Sequence, residues 1–242
     1  MMIKFNSFSK LISIVYIFFY LISPRFAICE NNFKKDFRNI EIELNQRNFV
    51  RLEKYFDENE KINFKNKFFK LIKEFPDAKW EIIKSNLINA NQHRLDMRLY
   101  GSKNLNGKKF KLESRFNFVF NLDNGFIKQG NIQNNLTTIR SDDNKIDIKI
   151  SIPDKVLTGS KYDIDIILNQ PLEDTIIAGG IKEYEEGKLL NQSIPLEPLA
   201  TGGIFKVSRA PLLPGLQIWT GIIAHPSGLV SFTKTVNIVE DY

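Results

Sequence analysis

Apolar and polar residues along the chain fall into successive patterns. Leu11 to Ile22 is a nearly unbroken apolar run. From Phe33 the apolar positions recur at helical spacing. Phe33, Phe37, Ile40 and Leu44 line one stripe, Phe49, Leu52 and Phe56 a second, and Phe64, Phe68, Leu71, Ile72 and Phe75 a third. Asn48 stands where an N-cap belongs, because its side-chain oxygen can accept a free N–H of the first turn. Pro76 ends the third stripe, since the residue before a proline is kept out of the helical region. From Trp80 the period becomes two. His93, Leu95, Met97 and Leu99 alternate with Arg94, Asp96 and Arg98, and Leu112, Phe116, Phe118 and Phe120 with Glu113, Arg115, Asn117 and Asn121. Asn106-Gly107 and Asp123-Asn124-Gly125 read as turns, and Phe126 to Thr138 as the last strand of this half.

The polar cluster Ser141-Asp142-Asp143-Asn144 reads as a linker. Beyond it, Ile146, Ile148, Ile150 and Ile152 alternate with polar residues, as do Tyr162, Ile164, Ile166 and Leu168. Further strands are expected at Ile176–Tyr184, Gly203–Val207, Leu216–Ala224 and Leu229–Val239. About seven short strands in 98 residues predict a β-sandwich with Trp219 in its core. The expected fold class is therefore α+β: helices covering one face of a curved antiparallel sheet over residues 30–140, a linker at 141–144, and an all-β sandwich over 145–242.

Residues 1–29 have the order of a secretory signal peptide. Lys4 and Lys10 precede the apolar run, Ser23-Pro24-Arg25 breaks it, and Ala27-Ile28-Cys29 leads to a cut between Cys29 and Glu30. A spanning helix needs ~20 apolar residues, more than this run supplies. Export to the periplasm, the extracellular space or an equivalent lumen is expected. The alternatives are an anchor formed by an uncleaved N-terminal helix and a lipid on Cys29. Removing the leader takes the net charge from +6 to about +3 and removes the sole cysteine. Disulfides and thiolate chemistry are then excluded from the mature chain. Two histidines without an HExxH pattern leave no metal site, and no cofactor is expected. The leader and the modest mature charge argue against nucleic acid as a partner. Residues 30–144 carry 22 Lys and Arg against 16 Asp and Glu, and residues 145–242 carry 9 against 12, so the halves differ in sign.

Arg47-Asn48-Phe49-Val50-Arg51-Leu52-Glu53-Lys54-Tyr55-Phe56 is similar to the second-helix signature of the nuclear transport factor 2-like superfamily. Phe75-Pro76-Asp77-Ala78-Lys79-Trp80-Glu81-Ile82 resembles the "FPD-x-x-W-x-x" opening of the sheet in SnoaL-like polyketide cyclases. Leu99-Tyr100-Gly101 with Asn106-Gly107-Lys108, and Phe118-Val119-Phe120 with Asp123-Asn124-Gly125-Phe126-Ile127, resemble two of its hairpins. The resemblance spans residues 31–140 and implies a cone-shaped fold with an apolar pocket between sheet and helices. In the second half, Pro153 to Gly159 before a Tyr-initiated strand resembles the opening of bacterial immunoglobulin-like domains.

The candidate pocket is lined by Tyr55, His93, Leu95, Met97, Phe116, Phe118, Phe120 and Asn131. The cyclases of this family commonly carry an acid after the last hairpin, whereas here no carboxylate stands between Asp123 and Asp142. An amide such as Asn131 hydrogen-bonds a ligand but takes no proton at neutral pH. The expectation is thus an exported two-domain binding protein with a non-catalytic pocket. Its partner would be a small apolar molecule or another exported protein, with a homodimer through the first-domain sheet as a further expectation. One alternative is an isomerase, cyclase or hydrolase in which His93 and Tyr55 are the catalytic groups. Another is a structural protein of envelope assembly.

Overall fold

The structure is a computed structural model that describes residues 28–29, 37–55, 58–89, 91–123, 125–141, 146–169, 176–184, 193–199, 202–226 and 228–241. The leader up to Ala27, Glu30 of the expected cut, Phe33, Phe56, Asn124 and the linker positions 142–144 lie outside those residues. Two compact units are formed. The strand Gly125–Ser141 contributes to both, residues 125–135 to the first and 136–141 to the second, and the hairpin tip at 104–111 belongs to the second.

Among the described residues the first unit holds three helices, α1 (Phe37–Gln46), α2 (Phe49–Leu52) and α3 (Glu58–Glu74), with a 3-10 turn at Glu53–Tyr55 after α2. Arg47 ends α1 in the left-handed region at φ 58°, and the Asn48 N–H bonds back to the Glu43 carbonyl. Asn48 then caps α2, its Oδ1 accepting from the Arg51 N–H at 3.2 Å. The strands are β1 (Ile28–Cys29), β2 (Lys79–Leu87), β3 (Gln92–Leu105), β4 (Lys108–Asp123) and β5 (Gly125–Ser141), in the sheet order β5-β4-β3-β2 with β1 on β5. Asn106 and Gly107 take φ 51° and 77° at the β3–β4 turn, a conformation that asparagine and glycine tolerate best. Asp77 of the Phe75–Ala78 turn accepts bonds from the Ser102 N–H and hydroxyl. A side chain at Gly101 would meet the same turn, its Cβ 3.2 Å from the Ala78 Cα. Glycine and aspartate of the resembling motifs thus serve packing here.

The expected α+β class is corrected by this architecture. The molecule is mostly β, and no large helix-on-sheet domain is formed among the described residues. Three successive strands, β3 to β5, run 14, 16 and 17 residues, while the helices have 10, 4 and 17. The helical stripes are real, but long strands outweigh them.

In the second unit β6 (Ile148–Ser151), β8 (Lys161–Leu168) and β11 (Gly203–Arg209) form a three-stranded antiparallel sheet in the order β11-β8-β6. The other sheet is ordered β10-β9-β12-β13-β5, from β9 (Ala178–Tyr184), β10 (Glu197–Pro198), β12 (Gly215–His225) and β13 (Gly228–Val239). The short β7 (Lys155–Leu157) adds to β13 in parallel. Ile148, Tyr162, Ile164 and Ile166 of the small sheet meet Trp219, Ile223, Val230, Phe232 and Val236 of the large one in a single apolar core. Gly221 is required by that contact, because a Cβ there would stand 2.4 Å from the Phe232 ring. A chain of polar groups joins the sheets. Trp219 Nε1 donates to the Tyr162 hydroxyl at 2.7 Å, and that hydroxyl donates to Gln217 Oε1 at 2.6 Å.

Candidate functional site

The outer edge of β2 is where the first unit presents unusual chemistry. Part of that edge is closed by α1. Asn45 Nδ2 donates to the Trp80 carbonyl at 2.8 Å, and Asn45 Oδ1 accepts from the Trp80 N–H at 2.9 Å. One turn earlier Glu41 Oε2 accepts from the Ile82 N–H at 2.7 Å. Four residues of helix advance about 6 Å and two residues of strand about 6.6 Å, so the two ladders match. These bonds also show that the backbone groups of Trp80 and Ile82 point away from β3.

Beyond Ile82 the edge changes. The register steps from Ile82↔Met97 to Lys84↔Asp96, so Ile83 is the extra residue of a β-bulge. Ser85 then faces Leu95, Asn86 faces Arg94 and Leu87 faces His93. Since Met97, Leu95 and His93 alternate along β3, Ser85 and Leu87 send their N–H and C=O outward as Ile82 does. The Ile88 N–H turns back to the Gln92 carbonyl at 2.8 Å and closes the hairpin. Among the described residues β2 ends its sheet order, and nothing bonds to the outward groups of Ser85 and Leu87. Ile83, Leu87 and Ile88 beside them are 56%, 60% and 50% exposed.

On the face of β3 that carries Leu95, His93 enters an aromatic cluster. Its ring stacks on Phe120 at 5.7 Å and meets Phe37 of α1 at 6.0 Å. Phe120 in turn packs on Phe118 at 5.1 Å and on Phe37 at 6.1 Å. Burial among these rings lowers the His93 pKa from its ordinary value and favours the neutral imidazole. Of the other expected pocket residues, Leu95, Met97, Phe116 and Phe120 are buried, and Phe116 meets the Trp80 indole edge-on at 6.4 Å. Asn131 is half-buried on β5, and its Oδ1 is buried with no hydrogen-bond partner among the described residues. Tyr55 is half-buried at the end of the 3-10 turn. The structure thus gathers His93, Phe118 and Phe120 into one cluster and places Tyr55 and Asn131 on other elements.

Sequence reasoning missed Glu43. This residue lies on α1 and is 6% exposed, and its Oε1 accepts from Arg51 at 3.0 Å. Its Oε2 is buried with no hydrogen-bond partner among the described residues. The signal in the sequence was its position next to Leu44, at the flank of the apolar stripe. Among the described residues no three His, Cys, Asp or Glu side chains gather as metal ligands, and no helix is long and apolar enough to cross a membrane.

Comparison with known families places a match in the second half. Residues 143–239 match the family described as Domain of unknown function (DUF8623), and the chain is similar to that family there. No curated protein matches the chain.

Proposed function

We propose that the protein is an exported binding protein whose first unit makes contacts with another exported protein rather than turning over a substrate. Export rests on the order of residues 1–29. One observation carries the contact reading: the aromatic side chains expected around a cavity pack on one another, while apolar side chains of β2 stay exposed at an open sheet edge. His93 stacks on Phe120 and meets Phe37, and burial, with no carboxylate of the described residues contributing, is what shifts its titration. General acid–base help of the usual ~10²–10⁴-fold therefore has no evident pair of groups to supply it.

A second reading, an isomerase or cyclase, draws on Glu43, a buried carboxylate beside apolar side chains. Arg51 opposes its charge at 3.0 Å. Glu43 also stands six residues along α1 from Phe37, the helix residue that touches His93, or about 9 Å of helix rise. The test is to incubate the full chain with ketosteroid-like and polyketide-like substrates beside Glu43→Gln and His93→Ala. No turnover is expected from any of the three. Turnover by the parent chain that either substitution abolishes would replace the contact reading with the enzymatic one.

A further inference from the structure

We infer that the open edge of β2 is a self-complementary docking strand, and that its occupant is the same strand of a second copy of this chain. The inference rests on the reading of the first unit as a contact module. The open stretch has sharp limits. Glu41 and Asn45 occupy the edge up to Ile82, and the Ile88–Gln92 bond turns the chain away at the other end. Residues 83–88 remain, about 20 Å of strand. A strand of that length that offers its own backbone groups is what another copy presents.

The pairing register follows from which groups are free. Ser85 and Leu87 point outward and Asn86 points toward β3, so the antiparallel two-fold pair that uses both outward residues of each copy centres on Asn86. Ser85 of one copy then exchanges both backbone bonds with Leu87 of the other, and the reverse pair does the same, for four bonds in all. Asn86 meets its own counterpart as a non-hydrogen-bonded pair, the arrangement in which Cα atoms come closest, at about 4.5 Å. Lys84 is the sole charge in the window, and this register sets it opposite Ile88 rather than opposite Lys84. Like charges therefore do not meet, and the lysine stem lies along an apolar side chain. Within its own sheet Lys84 faces Asp96. Native sheets blunt their edges with charges, prolines or covering segments. Here α1 covers the edge as far as Ile82, and three exposed apolar side chains follow.

A six-residue edge pairing buries less than the ~1,200 Å² of a standard stable interface, so the dimer is reversible and depends on concentration. The test uses the full chain expressed with its leader, in a Cys29→Ser background. Sedimentation over a concentration series is expected to show a monomer–dimer equilibrium, with the dissociation constant raised at least tenfold in Leu87→Lys. Asn86→Cys is expected to cross-link into a covalent dimer under mild oxidation, because opposed residues with Cα atoms at that separation suit a disulfide. Lys84→Cys is expected to stay uncross-linked. Should Leu87→Lys fail to fold, the two cysteine variants still decide. A monomer at every concentration overturns the inference, as does a dimer indifferent to Leu87→Lys whose Asn86→Cys variant does not cross-link. Cross-linking of both cysteine variants overturns the register. None of these results bears on turnover, so failure here and failure of the contact reading are told apart.

Discussion

Replacing Tyr162 by Phe removes one oxygen atom and should unlock the second unit. The hydroxyl accepts from Trp219 Nε1 at 2.7 Å and donates to Gln217 Oε1 at 2.6 Å. All three residues are enclosed, Trp219 at 1% exposure, Gln217 at 3% and Tyr162 at 8%. Without the oxygen, a buried indole N–H and a buried amide carbonyl each lose this partner. Each such orphan costs about 1–3 kcal/mol, so the pair costs roughly 2–6 kcal/mol, more than the ~1 kcal/mol net worth of an ordinary hydrogen bond. Against a typical total of about 5–15 kcal/mol this is a large share. Denaturant unfolding followed by tryptophan fluorescence reads it directly, because Trp219 belongs to this unit and Trp80 to the other. Tyr162→Phe combined with Gln217→Met should recover part of the loss by withdrawing one orphan. Burial, partly offset by bonds with Trp219 and Ser208, raises the Tyr162 pKa above its ordinary 10.0. Its contribution is therefore full below pH 10 and fades as the pH climbs toward the folded value. A Tyr162→Phe protein within about 0.5 kcal/mol of the parent would refute the reasoning.

Two further outcomes are expected. Burial lowers the His93 pKa below 6.5, so its stabilising effect is complete above that pH and is lost as the pH falls toward the folded value. Urea midpoints at about pH 7.5 and about pH 5 should converge in His93→Phe, and an unchanged gap would assign the acid sensitivity elsewhere. Gly221→Ala sets a methyl 2.4 Å from the enclosed Phe232 ring and should cost about 1–3 kcal/mol as overpacking. A melting temperature equal to the parent's would mean that Phe232 yields more easily than its burial implies.

Short-range rules made parts of the chain readable. The Asn48 cap, the stop before Pro76 and the left-handed Asn106-Gly107 turn depend on neighbours within a few positions. The shared parity of His93, Leu95 and Met97 was equally visible, because side-chain direction in a strand alternates regardless of what covers it. The fold class was not readable, since a helical stripe looks the same whether its helix covers a sheet or ties down one edge. Adjacent Ile82 and Ile83 hide the bulge, as period two reads through either residue. Asn134 adopts φ 50° within a run of three amides, and nothing in that run marks which of them departs from strand geometry. The burial of Glu43 escaped because Arg51 reaches it only across the left-handed break at Arg47, a relation set by the turn and not by spacing.

The amide of Asn45 has a consequence for assembly size. It offers one donor and one acceptor to Trp80, as a peptide group of a neighbouring strand would, and so terminates the ladder with a side chain. A sheet edge left open along its whole length accepts partners in many registers, and repeated additions build fibres without end. An edge stopped at one point leaves a short window in which few alignments fit, and a two-fold alignment closes on itself. In the docking inferred above, Asn45 would act as a chain terminator, setting where strand addition halts.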